Sequence, residues 1–296
     1  MRILRTSSPA FALALVFLIP AGAPAQSGVS GVLSGVPGAS GLKVDNGVAA
    51  QFEDGAPLGS MQLVPGEVVY FSFNVENFKK SENGRVEITG HVQVFDSSGV
   101  AIAPQDDIPL LTSLSDEDKN WKPKMRTAVA IPPIAPRGIY KIKFDATDEI
   151  SHQTASGEAA FGVEAKFVAP SGILAIRELN FYRAQDDTTP LITPSFHPGD
   201  MVWVKFYITG YKHGEQNSID AAYDVELTNS DGVSIMKQED AAMEKSTAYY
   251  PQPYIPGIFS LTLKSTMTPG VYTVIITARD AVGKQTATAK SNFRVN

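Results

Sequence analysis

From Val68 to Val75 apolar and polar side chains alternate: Val69, Phe71, Phe73 and Val75 share one face, and Tyr70, Ser72 and Asn74 the other. The same rhythm runs through Val202, Val204, Phe206 and Ile208, with Trp203, Lys205 and Tyr207 between them. It returns in Tyr140, Ile142, Phe144 and Ala146, and once more in Tyr272, Val274, Ile276 and Ala278. A period of two predicts antiparallel strands with one face in a core and one in water. No segment carries a convincing helical period with caps. Asp96-Ser97-Ser98-Gly99 and Asn229-Ser230-Asp231-Gly232 supply hairpin turns between strands.

These runs are copies of one another. Residues 65–102 align without a gap on residues 198–235, an offset of 133. From Tyr140 the match resumes at 132, pairing Tyr140 with Tyr272, Asp148 with Asp280, Phe161 with Phe293 and Val163 with Val295. A period this long marks tandem domains, because solenoid repeats run to only ~20–50 residues. Each copy holds about seven strands in ~120 residues, which suits a two-sheet sandwich. The expected domains are residues 42–165 and 171–296, joined by a short turn at Pro170-Ser171-Gly172 as a semi-rigid pair.

One pair of motifs narrows the fold. Gly138-Ile139-Tyr140 and Gly270-Val271-Tyr272 each lead into a late strand, with core residues Ile142 and Val274 two positions further on. In immunoglobulin-type sandwiches a tyrosine so placed bonds back across the corner through its hydroxyl, and the next core residue is cysteine in antibody domains. The segment from Thr277 to Val295 reads as a last hairpin ending Phe-x-Val. On these residues the chain resembles the cysteine-free immunoglobulin-like and fibronectin-III-like modules of bacterial envelope proteins. The resemblance implies an all-β fold of two tandem antiparallel immunoglobulin-like β-sandwich domains, with Tyr140 and Tyr272 as structural tyrosine corners. It implies no activity, since this architecture hosts many unrelated roles.

The beginning of the chain changes the picture of where the protein works. Arg2 and Arg5 precede an unbroken apolar run from Phe11 to Ile19, and Ala23-Pro24-Ala25 is a small-x-small cleavage signal. The run is far shorter than the ~20 residues of a membrane-spanning helix, so residues 1–25 read as a secretory signal peptide. No later segment is apolar enough to cross a bilayer, and no cysteine is present to carry a lipid. The expectation is an exported protein, periplasmic or extracellular, with no integral membrane segment after cleavage. Residues 26–41 hold nine Gly or Ser in sixteen positions and read as a flexible tether.

Loss of Arg2 and Arg5 with the signal peptide moves the net charge from −6 to −8. That balance is poorly suited to nucleic acid, because phosphate contacts need clustered Lys and Arg. The basic cluster from Lys119 to Arg126 follows the acidic run Asp116 to Asp118, and the two read as a solvated loop. The absence of cysteine excludes a disulfide framework, thiol chemistry and Cys-ligated zinc.

Candidate chemistry is sparse. His91 faces outward by strand parity, His152, His197 and His213 fall near turns, and no two are spaced as paired ligands. No nucleophile elbow, metalloprotease motif, phosphate loop or calcium-loop spacing is present. No catalytic residue and no metal ligand is assigned, and the chain is expected not to be an enzyme and to need no cofactor. Carboxylates recur in both copies: Glu53-Asp54 with Asp186-Asp187, Asp106-Asp107 with Glu239-Asp240, and Asp148 with Asp280. Turn chemistry accounts for them, with calcium held at a sandwich end as a second reading.

Aromatic residues give the best functional lead. Tyr249, Tyr250 and Tyr254 lie among three prolines between Ser246 and Gly257, and Trp121 sits in the corresponding stretch of the first copy. Rigid rings of this kind make contact surfaces for sugars or for another protein. Alternatively, they fold back over the open end of their own sandwich. Tyr70, Trp203 and Tyr207 point outward on strands and are candidates for a contact between the domains. The function expected is therefore that of an exported, non-catalytic pair of domains in adhesion, envelope assembly or scaffolding. Its partner would be another envelope or extracellular protein, met by surface complementarity or by strand addition at a sheet edge. The alternative is a carbohydrate-binding or enzyme-accessory protein that meets polysaccharide through the aromatic loops.

Overall fold

A computed structural model of the chain describes Gly41–Asn296 apart from Asn46, Asp116 and Lys119. The expected signal peptide, and the expected tether up to residue 40, lie outside the described residues. The described chain is nearly all strand, and it falls into two units that divide between Phe167 and Val168.

In the first unit the strands are β1 (Lys43–Val44), β2 (Val48–Ala50), β3 (Gln62–Leu63), β4 (Val68–Glu76) and β5 (Arg85–Phe95). They continue as β6 (Asp106–Ser113), β7 (Lys124–Ala130), β8 (Gly138–Asp148) and β9 (Gln153–Val163). In one sheet β4 pairs with β1 and β2 along one edge and with β7 along the other; the second runs β3-β9-β8-β5-β6. The second unit is built of β10 (Ala175–Tyr182), β11 (Ser195–Phe196), β12 (Met201–Thr209) and β13 (Ile219–Thr228). After these come β14 (Ser234–Ser246), β15 (Ile255–Thr262), β16 (Gly270–Asp280) and β17 (Gln285–Val295). Its sheets run β10-β12-β15 and β11-β17-β16-β13-β14. The two units thus share one strand order, with β1 and β2 standing in the place of β10.

One feature departs from the all-antiparallel expectation. β3 pairs with β9, and β11 with β17, in parallel. Each of these short strands has two residues, too few to show a period, so the side crossing that reverses its direction leaves no mark in the pattern.

The alternating faces meet in a core. Phe71 and Phe73 of β4 lie 5.0 and 4.7 Å from Phe144 of β8, ring centroid to ring centroid. In the second unit Phe206 of β12 meets Tyr223 of β13 edge to face at 5.0 Å. Burying these aromatic side chains together with the Val, Leu and Ile around them supplies most of the drive, at ~25 cal/mol per Å² of apolar surface removed from water. Gly257 serves this packing directly: a Cβ there would lie 2.2 Å from the Phe206 ring.

Polar ties at corners and turns repeat from unit to unit. The Tyr140 hydroxyl donates to the Pro136 carbonyl oxygen, and that of Tyr272 to the Thr268 carbonyl oxygen, each at 2.8 Å. The Asp96 side chain accepts from the backbone N–H of Ser98 and Val100, as the Asn229 side chain does from Asp231 and Val233. The side-chain oxygen of Gln153 receives the N–H of Leu42, and that of Gln285 the N–H of Leu174, both at 2.9 Å.

Candidate functional site

The loops between β4 and β5, β6 and β7, and β8 and β9 gather at one end of the first unit. Their counterparts gather at the same end of the second. Asp148 and Asp280 organise both ends from within. Asp148 is buried and accepts from the backbone N–H of Lys79, Ile150 and Ser151 and from the Ser151 hydroxyl. Burial pushes its pKa up, but the Ser151 hydroxyl and the three N–H groups outweigh that and hold it below the usual carboxylate value. Asp280 accepts from the backbone N–H of Lys212 and Gly283 and from the Gln285 amide. These oxygens are engaged by donors that fix loops, which is turn chemistry. No group of three or more acidic or histidine residues suited to a metal occurs among the described residues.

The aromatic residues singled out by sequence separate into two kinds. Tyr250 is only 7% exposed and is part of the second unit's interior, so it offers little to a partner. Tyr254 packs its ring edge to face on Tyr207 at 5.3 Å. The Gln252 carbonyl oxygen accepts from the buried Tyr211 hydroxyl at 2.6 Å and lies 3.2 Å from His213 Nε2. Burial pushes the Tyr211 hydroxyl well above its ordinary pKa, so it stays a donor. Asn217 Nδ2 donates to the Tyr249 carbonyl oxygen at 2.6 Å. The loop is therefore laced to the β12–β13 connection, and most of its rings fold back on their own unit. Tyr249, 51% exposed, remains outside. Trp121 is 36% exposed and meets Phe78 edge to face at 5.9 Å. The ion pair of Lys122 with Glu76 lies beside it in sequence.

The histidines are placed singly. His91 Nδ1 lies 2.8 Å from Asp145 Oδ2, and its Nε2 lies 3.8 Å from Asp107 Oδ1, across three strands of the outer face. At the matching face of the second unit Arg279 joins Asp224 to Asp240 instead. Burial raises the Asp224 carboxyl, and the Arg279 guanidinium together with the Asp240 backbone N–H more than reverses that and leaves it lowered.

A site that the sequence left unremarked lies on the outer face of β2, β4 and β7. A cavity of 220 Å³ opens there between Phe52 and Arg126, over Tyr70 and Ser72. The turn from Phe52 to Gly55 forms its wall, and Asp54, at φ 54°, pairs with Lys124 and with Arg126. Hydrogen bonds from Lys124 and Arg126 lower the Asp54 pKa. The available signal was a small residue in one copy opposite a large one in the other. Ser72 answers to Lys205 at the offset of 133, and Ala50 to Tyr182 through the strand register.

No protein-family model matches the chain, and no curated protein matches it. Among solved structures, the C-terminal domain of the Streptococcus pyogenes antigen I/II-family protein AspA is 7% identical, covering 86% of this chain and 99% of that one, at a TM-score of 0.31. The C-terminal domain of the Streptococcus agalactiae antigen I/II polypeptide BspA is 10% identical, covering 86% and 99%, at a TM-score of 0.28. A family 123 glycoside hydrolase from Clostridium perfringens is 10% identical over 42% of this chain, at a TM-score of 0.29, and the chain spans 27% of the hydrolase's length. Likenesses this distant carry no conclusion about fold or activity. Among the described residues, no helix is long and apolar enough to cross a membrane.

Proposed function

We propose that the protein is an exported, non-catalytic pair of immunoglobulin-like domains, and that its work is contact with another envelope or extracellular protein as an adhesion or scaffold subunit. The strand order supports the immunoglobulin-like assignment: a layer of four strands in the first unit and three in the second accompanies a five-strand layer, with a corner tyrosine in each unit bonded back to the chain. The functional reading rests on one observation. The outer strands β6 and β14, which pair on one side only among the described residues, expose Leu111, Ile235 and Met243 on rigid frames. Pro109, Asp106 and Asp107 on β6, and the irregularity around Asp240 on β14, discourage uncontrolled strand pairing. Contact through side chains therefore fits these edges better than strand addition.

The test is retention of the full chain in the envelope fraction of expressing cells, with and without cross-linking. Leu111→Glu combined with Met243→Glu is expected to release it while leaving the unfolding midpoint unchanged. Unaltered retention would remove this reading, and turnover on ester, peptide or glycan substrates that one His or Asp substitution abolishes would remove the non-catalytic part. The polysaccharide alternative is favoured by the exposure of Tyr249 and Trp121 on loop tips. It predicts retention on insoluble polysaccharide that Tyr249→Ala and Trp121→Ala diminish.

A further inference from the structure

The outer faces of the two five-strand sheets hold their edge strands with different cations. In the second unit Arg279 on β16 pairs with Asp224 on β13 and with Asp240 on β14. A guanidinium is not deprotonated in proteins and offers five N–H donors. In the first unit the residue equivalent to Arg279 is Thr147, and the residue equivalent to Asp224 is His91, at the offsets of 132 and 133. Asp107 keeps the place of Asp240. Asp107 on β6, His91 on β5 and Asp145 on β8 are direct cross-strand partners, so the three form one row. His91 Nδ1 lies 2.8 Å from Asp145 Oδ2, and Nε2 faces Asp107 Oδ1 at 3.8 Å. Where the second unit has a permanent charge across its sheet, the first has one that comes and goes with a proton.

We propose that His91 is a pH-dependent clamp on the edge strand β6, closed when its imidazole is protonated and open when it is neutral. A neutral ring has one N–H, and a carboxylate only accepts. The contact with Asp145 therefore places that proton on Nδ1, and Nε2 turns a lone pair towards the Asp107 carboxylate. The protonated ring has an N–H on both nitrogens and attracts both carboxylates. It then ties β6 to β5 and β8, as Arg279 ties β14 to β13 and β16. Histidine changes charge between about pH 5 and 8, so the tie is present on the acid side of that window and is lost as pH rises through it. The charged groups on the same face are Asp107 from β6, Lys141, Lys143 and Asp145 from β8, and Glu158 from β9; further along β5, Arg85 and Glu87 pair with each other. Asp106 is engaged instead by the Thr127 hydroxyl of β7, and Lys143 lies over the Phe95 ring at 5.4 Å. The partners set opposite the imidazole in its own row are thus the two carboxylates. β6 also carries the exposed Leu111, and the clamp sets how firmly that edge is held whether or not Leu111 meets a partner.

The experiment is amide hydrogen exchange of the full chain, read by NMR from about pH 5.5 to about pH 8, with each rate divided by its intrinsic value at that pH. The hydrogen-bonded amides of β6 between Asp106 and Leu110 are expected to lose protection about threefold across that range, the scale of one exposed ion pair. Those of β14, held by Arg279, are expected to stay level and serve as the control within the same molecule. The fall should follow the loss of the His91 ring proton, seen in the ring nitrogen signals of the same samples. Asp107→Asn keeps the shape and removes the second carboxylate, and is expected to level the β6 profile while the ring still titrates. Should that variant not fold, His91→Gln removes the titrating group and is expected to level the profile too. Protection that does not change with pH, a fall of equal size in β14, or a fall that survives in the variant would each overturn the proposal.

Discussion

The two units solve one packing problem in opposite ways. In the first, Phe144 on β8 and Met125 on β7 fill the middle of the core and β5 makes room for Met125 with Gly90; in the second, the equivalents are Ile276, Gly257 and Tyr223. The aromatic ring has moved to the neighbouring strand while the pairing registers of Gly90 with Ala146 and Tyr223 with Ala278 stay the same. A core thus tolerates exchange of shape provided that volume is kept. What the copies do not exchange are the ties at their ends: Asp148 and Asp280, Gln153 and Gln285, Tyr140 and Tyr272. A methylene can be supplied by any neighbour, whereas a buried N–H needs an acceptor in one place.

Removing the ring on one side should therefore be the most damaging change. Tyr223→Gly leaves a cavity beside Phe206 and adds backbone freedom, and a loss of about 4 kcal/mol is expected in the second unit. The reverse change, Gly90→Tyr, drives a ring into Met125 and Phe73, whose atoms already stand 2.9 and 3.4 Å from a Cβ at Gly90. Overpacking of this kind costs about 1–3 kcal/mol. Urea unfolding followed by tryptophan fluorescence separates the two effects, because Trp121 reports on the first unit and Trp203 on the second. Equal losses in both signals would mean that the exchange is not local.

The shared ties come next in size. Asp148→Ala strands three backbone donors, and Asp280→Ala two donors and an amide, so a loss on the order of 3 kcal/mol is expected for each in its own unit. Acid sharpens the comparison for Asp148. Its folded pKa lies below the ordinary 3.8, so the stability it contributes is complete above that value and is lost as pH falls below it. Asp148→Asn should flatten the acid limb of the first unit's stability curve, measured as unfolding midpoint against pH. An unchanged limb would show that the carboxylate's charge is not what the N–H groups require.

These ties explain why much of the fold was legible in sequence while the surface was not. Alternation set the strands, and the offsets of 133 and 132 placed β4 on β12 and β8 on β16. Asp148 and Asp280 stood out as a recurring pair, although only the folded loops show that they face inward to backbone N–H groups. The parallel crossings of β3 and β11 left no trace, because two residues carry no period. Tyr250 was indistinguishable in sequence from Tyr249 beside it, since their burial depends on how the loop lies against Asn217 and Gln252. The cavity over Tyr70 was missed for a related reason: it is made by what Ala50 and Ser72 lack, and its walls come from segments far apart in the chain.

The corner tyrosines test the comparison more gently. Tyr140→Phe and Tyr272→Phe each delete one hydroxyl and keep the ring, so about 1 kcal/mol is expected in each unit. Their hydrogen bonds have the same length and the same four-residue span. The two losses should agree within about 0.5 kcal/mol by the same urea titration. A much larger loss at Tyr140 would point to the first unit's corner relying on that bond, since Tyr272 also has the Thr268 hydroxyl at 3.3 Å as a second partner.

The smallest effects are expected at the loop tips, and there the smallness is the point. Tyr249→Ala removes a ring that is half in water, while its backbone carbonyl, the atom that Asn217 holds, is untouched by the substitution. A change within about 0.5 kcal/mol follows for a surface side chain. Trp121→Ala gives up the edge contact with Phe78, worth about 0.5–1.5 kcal/mol beyond the area it covers. Circular dichroism replaces fluorescence for that variant. A side chain that can be removed at no cost to the fold is one the fold does not need. If Tyr249→Ala instead destabilised the second unit as strongly as Tyr250→Ala, for which about 3 kcal/mol is expected, the loop would be a single structural cap and its exposed ring part of the core's cover.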